Sequence, residues 1–248
     1  MKTTNTLIIG ASAAALGIAQ RLGGDCLVIE RGWSACREFA DAMRADRVDM
    51  AAALTPYAAS VRDELLARNI LSEDGRLHVL ALGGVIAKRF LETGCGLQLG
   101  TSVLGVKPAD GGFDVTVFEG QTGRSTIRAA HVIDTTVNSR MDYRQYFSVM
   151  LAGNPDLTES EEMLHGLFPD EFIARFELPA MCDLPTAQAF ADAWLMSHRE
   201  CKAASVSLEF ARIFDAPLDE TLGGVRYFVS DSFHDVIAAI DGGARCQL

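Results

Sequence analysis

Two short apolar runs and the alanine-rich stretch between them are the clearest pattern in the first part of the chain. Leu7-Ile8-Ile9 stops at Gly10, good helix formers follow at Ala13–Leu22, and a second apolar run at Cys26–Ile29 ends at Glu30. Short apolar runs with glycine or charge at their ends are typical of buried strands, and the alanine-rich stretch is typical of a helix. We therefore predict a strand, a tight turn, a helix and a second strand, which is the order of a dinucleotide-binding unit.

The turn between the first strand and the helix suits a phosphate group. Gly10 allows a sharp turn, and Ala15 is small enough for the helix to pack closely on the sheet. Backbone N–H groups at residues 12–14 would face a pyrophosphate at the positive end of the helix dipole. Glu30 stands 20 residues after Gly10, where a carboxylate accepts hydrogen bonds from a ribose. A cleaved secretory signal, the alternative suggested by Lys2 and the apolar stretch, would not require the second strand or Glu30.

Helical periodicity follows in the next part of the chain. Apolar residues share one face at positions 37–44, 57–69 and 79–93, which predicts three helices, the second ending at Asn69. A short buried strand is predicted at 97–99.

The spacing of apolar residues then changes from a helical period to alternation with polar residues, which predicts an antiparallel β-meander. Its three strands are expected at 103–106, 113–118 and 125–127, with turn-rich segments at 108–112 and 120–123 between them. A further apolar strand at 130–136 ends in Thr135 and Thr136. His131 on this strand is expected to face solvent.

The remaining elements suggest an inserted lobe before the chain returns to the first domain. Strands are predicted at 143–151, 171–178 and 225–229, and helices at 186–201 and 233–240, the last one closed by Gly242-Gly243. We expect residues 1–139 and 223–248 to form a dinucleotide-binding domain. Residues 140–222 are expected to form a small α+β lobe that covers the substrate.

Composition and charge exclude several classes of protein. Among the 248 residues 49% are hydrophobic, enough for a core, and the net charge of −11 argues against a nucleic-acid partner. No run of about 18 apolar residues appears, so no membrane span is expected. The six cysteines form no C-x-x-C pair, which favours reduced thiols in a cytoplasmic protein and predicts no metal site. Cys36 alone follows Glu30 closely enough to border a cofactor, although an ordinary thiol is the simpler interpretation.

At three places the chain resembles the glutathione-reductase-type FAD-binding fold. The first is the G-x-S-x-x-A stretch from Gly10 together with Glu30, and the second is Val132-Ile133-Asp134-Thr135-Thr136 after the meander. The third is Ser230-Asp231 before the last helix. The closest resemblance is to FAD-dependent oxidoreductases with a V-I-D-[AT]-T-G motif. It covers roughly residues 3–138 and 223–246, and it implies a three-layer α/β Rossmann-like fold with a β-meander crossover.

This resemblance also implies a set of FAD-binding residues. It assigns the phosphate turn to residues 10–15, the ribose to Glu30 with Arg31 beside it, adenine to the backbone of Val103, and the ribityl chain to Asp231. Thr135 and Thr136 would lie against the adenosine diphosphate. The implied FAD-binding residues are Gly10, Ala11, Ser12, Ala13, Ala14, Ala15, Glu30, Arg31, Val103, Thr135, Thr136 and Asp231.

Three residues depart from the pattern of this family in the same direction. Ser12, Val137 and Ser230 stand where glycine is usual, and each adds a side chain where the backbone meets the cofactor or takes a positive φ. A positive φ is least compatible with the β-branched Val137. The family's glycine-rich turn after the ribose-binding acid is also absent.

The leading hypothesis is a small FAD-dependent oxidoreductase that acts on an unidentified small molecule. A cofactor-poor module for binding or assembly and an NAD(P)-binding enzyme are the alternatives, and the oligomeric state is left open. No motif identifies a catalytic acid or base, so His165, His198 and His234 are candidates only by residue type. Tyr143 and Arg144 are candidates for binding an anionic substrate.

Overall fold

The opening unit has the predicted order in the computed structural model, which describes residues 2–153, 160 and 162–247. It consists of β1 (Lys2–Ile9), α1 (Ala13–Leu22) and β2 (Cys26–Ile29). The two strands run parallel, with Thr6 opposite Cys26 and Ile9 opposite Ile29. The predicted strand–helix–strand unit is therefore confirmed.

Two of the three helices predicted next are also present. They are α2 (Pro56–Ala67) and α3 (Leu82–Glu92), and the short strand β3 (Gly96–Gln98) follows them. Asn69 takes a positive φ of 54° just beyond α2, as expected for a residue that ends a helix. Within the described parts of the chain, no helix is both long and apolar enough to cross a membrane.

The helix predicted at 37–44 is wrong. The segment folds as consecutive turns because Cys36 and Met43 take positive φ values of 60° and 51°, which interrupt a helix. The N–H groups of Ala42 and Arg44 donate to carbonyls five residues earlier, those of Arg37 and Phe39. These turns fold the segment back against the start of α1.

The predicted meander is confirmed, with longer strands. It is formed by β4 (Thr101–Ala109), β5 (Gly112–Glu119) and β6 (Gly123–Asp134). Pro108, expected in a turn, lies inside β4, where a strand at the sheet edge tolerates its missing N–H. The separate strands predicted at 125–127 and 130–136 are one continuous strand, because β6 pairs with β5 along its first part and with β1 along its second.

A second sheet follows. Its elements are β7 (Arg144–Ala152), β8 (Met163–His165), β9 (Glu171–Leu178), α4 (Leu184–Ser197), β10 (Lys202–Val206) and β11 (Ala211–Ile213). The strand order is β10-β7-β9-β8, and β11 also pairs with β7. The chain then returns to the first sheet through β12 (Asp219–Leu222) and β13 (Val225–Phe228). The proposed limits of the lobe at 140 and 222 stay a prediction.

The first sheet separates two apolar layers. Its strand order is β12-β13-β6-β1-β2-β3, and β12 alone in this order runs antiparallel to its neighbour. Side chains alternate along β1, so Ile8 packs in the helical layer and Leu7 packs in the layer under the meander. The result is a three-layer α/β arrangement around a mainly parallel sheet.

The last helix, α5 (Val236–Arg245), crosses α1 at very short range. A Cβ atom at Gly17 would lie 2.1 Å from the carbonyl oxygen of Ile240, and one at Gly243 would lie 2.0 Å from that of Ala14. The prediction that Gly242-Gly243 closes the last helix is therefore wrong. Both glycines lie within α5, and Gly243 allows the two helix backbones to touch.

We expect Gly17→Ala to lower the free energy of unfolding by about 2–3 kcal/mol, because the added methyl group would force α1 away from α5. Gly84→Ala on α3 is the matched control, since nothing lies within 4 Å of a Cβ atom at this exposed position. It should stabilise the protein by up to about 1 kcal/mol, because alanine favours helices over glycine. Denaturant unfolding measures both variants, and equal losses would contradict the role given to Gly17.

Candidate functional site

A cavity of about 400 Å³ opens at the carboxyl ends of β1, β2 and β6. This edge is where open α/β sheets bind ligands, and the volume lies within the range of about 300–1,000 Å³ typical of small-molecule sites. Its lining residues are Ile9, Gly10, Ser12, Ile29, Glu30, Arg31, Arg37, Glu38, Thr101, Ser102, Val103, Asp134, Thr135, Thr136, Val137, Glu209, Arg212 and Asp231. Of the residues expected to bind FAD, eight lie in this wall: Gly10, Ser12, Glu30, Arg31, Val103, Thr135, Thr136 and Asp231.

The tight turn after β1 requires a glycine for two reasons. Gly10 has a φ of 92°, and its N–H donates to the carbonyl of Ile29 at 2.8 Å. A Cβ atom there would also lie 2.6 Å from Thr136 Cγ2 and 2.8 Å from Thr135 Oγ1. The two threonines that directly follow β6 therefore pack over the turn.

The first turn of α1 is closed by side chains of the protein itself. Ser12 caps the helix, accepting a hydrogen bond from the N–H of Ala15 at 3.1 Å and donating one to Thr135 Oγ1 at 2.8 Å. The N–H of Ala13 donates to Glu38 Oε1 at 2.8 Å, and that of Ala14 donates to Ser230 Oγ at 3.1 Å. Together with Ala11, these alanines are buried and do not line the cavity. Of the N–H groups expected to bind a phosphate, those of Ala13 and Ala14 thus have internal partners.

Glu30 is held firmly at the end of β2. Its Oε2 accepts from the N–H of Ala11 at 3.1 Å and its Oε1 accepts from the N–H of Gly32 at 2.7 Å. The Arg37 guanidinium lies 3.6 Å away. The N–H of Thr101 donates to the Glu30 carbonyl at 2.8 Å, which brings the start of β4, and with it Val103, into the same wall.

Two buried acids lie at the inner side of the cavity. Burial raises the pKa of Glu38 to about 7, and the nearby charge of Asp231 adds to this rise. Burial likewise raises the pKa of Asp231 to about 6, although Arg212 and Arg44 oppose the shift. Asp231 Oδ1 has no hydrogen-bond partner in the part of the chain that the structure describes. Because their pKa values lie near neutral pH, these two side chains are candidates for a general acid or base in the cavity.

Three arginines of the wall surround a single carboxylate. Glu209 forms a hydrogen-bonded ion pair with Arg31, and it lies 3.6 Å from Arg37 and 3.4 Å from Arg212. Sequence reasoning missed Arg37, Glu38, Glu209 and Arg212. The first two could have been suspected as charged residues shortly after Glu30, whereas no local pattern marks Glu209 or Arg212.

Other sequence candidates lie away from the cavity. His165, His198 and His234 do not line it, and His198 instead stacks on Trp194 with 4.1 Å between the ring centroids. Cys36 is fully buried, and burial raises the pKa of its thiol, which leaves it unreactive. His131 is exposed, as expected.

Val137 lies in the cavity wall without the positive φ that the family's glycine would allow. Among the described residues other than glycine, positive φ values occur at Cys36, Met43 and Asn69. The turn after β6 therefore takes a conformation that a β-branched residue can adopt.

Comparison with known proteins identifies the fold. The sequence matches no protein-family model and no curated protein. Among solved structures, a geranylgeranyl bacteriochlorophyll reductase-like protein from Thermoplasma acidophilum is similar over 98% of this chain and 77% of its own, with a TM-score of 0.63 and 11% identity. L-Proline dehydrogenase from P. horikoshii has the same TM-score and identity over 98% and 91% of the two chains.

A rebeccamycin biosynthetic enzyme solved with reduced flavin matches 91% of this chain and 55% of its own, with a TM-score of 0.55 and 12% identity. At such identities the likeness concerns the fold alone. The chain therefore has the mixed α/β Rossmann-like fold, with a mainly parallel sheet, that its sequence predicts.

We expect the protein to lose stability as the pH rises. The pKa of Glu38 rises from its ordinary value of 4.5 to about 7 on folding, so its contribution is fully present below pH 4.5 and is lost as the pH passes 7. The free energy of unfolding should fall by on the order of 2 kcal/mol between pH 5 and pH 8. Glu38→Gln, which keeps an oxygen acceptor but does not titrate, should reduce this fall, whereas the exposed control Glu92→Gln should not. Identical pH profiles for Glu38→Gln and the wild type would contradict the assignment.

Proposed function

We propose that the protein is a small FAD-dependent oxidoreductase of the group whose V-I-D-[AT]-T-G motif it resembles, acting on a small molecule not yet identified. The observation that carries this proposal is that Glu30 and Asp231 line one cavity at the carboxyl edge of the sheet. The resemblance assigns these two acids to the adenosine end and the ribityl part of FAD. A bound flavin would supply the redox chemistry, while the protein supplies binding and orientation.

Glu30 is suited to bind a ribose. The N–H groups of Ala11 and Gly32 each occupy one lone pair of its carboxylate and fix its orientation. A carboxylate has about four acceptor positions, so both oxygens keep capacity for the two hydroxyls of a ribose. Val103 lies in the same wall, where its backbone would meet the base.

Two buried polar atoms of the wall favour a ligand with hydroxyl groups. Asp231 Oδ1 and Arg212 Nε are both buried without a hydrogen-bond partner among the described residues. An unsatisfied buried polar atom costs about 1–3 kcal/mol, which a ligand hydroxyl at Asp231 or a ligand oxygen at Arg212 would recover. Asp231 thus fits a hydroxyl of the ribityl chain as donor, and Arg212 fits a hydroxyl oxygen of the ligand as acceptor.

The phosphate turn fits FAD only after a rearrangement. Glu38 and Ser230 already accept the hydrogen bonds of Ala13 and Ala14. This observation favours a second candidate function, a cofactor-poor module that keeps the fold for binding or assembly. The two functions differ in whether these side chains leave the helix when FAD is added.

The lobe at 140–222 is proposed to cover the substrate. Glu209 and Arg212 belong to this range and stand in the cavity wall. With Arg31 and Arg37 they place several charges in the wall of the site, where they would select among substrates by charge. We place the protein in the cytoplasm, because its six cysteines form no C-x-x-C pair.

An absorbance scan of the purified protein from about 300 to 550 nm, followed by titration with FAD and flavin fluorescence, tests the proposal. We expect FAD to bind near stoichiometrically, and Glu30→Ala to weaken binding by about 10–100-fold through loss of charge-assisted hydrogen bonds to the ribose. Glu92→Ala, on the exposed side of α3, is the matched control and should bind like the wild type.

A colourless protein that ignores added FAD would overturn the oxidoreductase proposal and leave the binding module as the better account. Equal binding by Glu30→Ala and Glu92→Ala would show that FAD occupies a different site. Far-UV circular dichroism of both variants establishes that each is folded.

A further inference from the structure

The N-terminus of α1 already carries a carboxylate. Glu38 Oε1 accepts hydrogen bonds from the N–H of Ala13 and from Ser230 Oγ, each at 2.8 Å. Ser230 Oγ in turn accepts from the N–H of Ala14 at 3.1 Å. The Glu38 side chain is buried, with 8% of its surface exposed, and the positive end of the helix dipole stabilises its charge. A carboxyl group of the protein therefore stands where helices of this fold bind phosphate.

A second observation shows that the cavity beside this helix is built for a ligand. Asp231, which is 4% exposed, lines the cavity, and its Oδ1 has no hydrogen-bond partner within the described residues. A ligand hydroxyl would satisfy this acceptor, whereas a phosphate oxygen, which is itself an acceptor, would not. A phosphate that approached α1 would thus meet two acids, Glu38 and Asp231, and the N–H groups of Ala13 and Ala14, which are already bonded.

We infer that Glu38 competes with ligand phosphate for the first turn of α1, so that the cavity binds the ribonucleoside part of its ligand with little contribution from the phosphates. This inference rests on the proposed function, in which Glu30 binds the ribose. Phosphate binding at the turn requires the Glu38 carboxylate to leave Ala13 and Ser230, and Ser230 to release Ala14. Adenosine requires none of these changes, because Glu30 lies on the other side of the turn and keeps its own partners.

Calorimetric titration of the full chain with ADP and, separately, with adenosine tests this inference. In the wild type the two dissociation constants should agree within about threefold, because the phosphates gain no helix contacts and the arginines of the wall are already paired with Glu209. Glu38→Ala should lower the dissociation constant for ADP by about tenfold or more and change that for adenosine by less than about threefold. Glu38→Gln keeps the acceptor oxygen and removes the charge, so it should shift ADP binding in the same direction by a smaller factor.

The control is Glu92→Gln, which changes the net charge equally at an exposed position outside the cavity and should leave both ligands unaffected. Glu38→Gln keeps the test valid if Glu38→Ala does not fold. ADP binding more than about tenfold tighter than adenosine in the wild type would overturn the inference and leave the ribose site intact. The inference would also be overturned if ADP bound neither Glu38 variant more tightly than the wild type. If neither ligand binds any variant, the proposed function fails, and the inference fails with it.

Discussion

The shape of the cavity depends on Arg44, a guanidinium that is only 2% exposed. It donates to the carbonyls of Asp231 and Phe233 at 2.6 Å each and to the carbonyl of His234 at 3.0 Å. Its Nε donates to Asp46 Oδ2 at 2.7 Å. A buried cation is costly unless its donors are paired, and these carbonyls supply the acceptors that Arg44 needs. Arg44 therefore fixes the loop that brings Asp231 into the cavity wall.

The same network joins the two sheets. Asp46 uses its second oxygen to accept a hydrogen bond from Arg175 on β9 at 3.0 Å. Next to this contact, the N–H of Leu208 donates to the carbonyl of Asp41 at 2.8 Å, which holds the segment before β11 against the turns after β2. Glu209 follows directly in the chain. Its place among the arginines thus results from packing between parts of the chain that are far apart in sequence.

How much could be predicted from the sequence depends on how local each feature is. Gly10 and Glu30 were predictable, because each ends a short strand whose apolar pattern is clear. Glu38 was missed, because the positive φ of Cys36 is not readable from a non-glycine residue and its segment has the apolar spacing of a helix. Arg212 reaches the cavity only through tertiary packing, so no local pattern marks it. Ser12 and Ser230 stand at usual glycine positions, which indicated that the phosphate turn differs from the family pattern. Their hydrogen-bond partners, however, depend on the folded chain.

The closed network at the start of α1 also bears on how the protein matures. The N–H groups of Ala13 and Ala14 are satisfied within the chain by Glu38 and Ser230. A ligand stabilises a folded state most when it satisfies groups that would otherwise be orphaned, and folding then depends on the supply of that ligand. Here these donors need no ligand, so the start of α1 can complete its folding before any ligand binds. At this turn, folding therefore precedes ligand binding and does not wait for it.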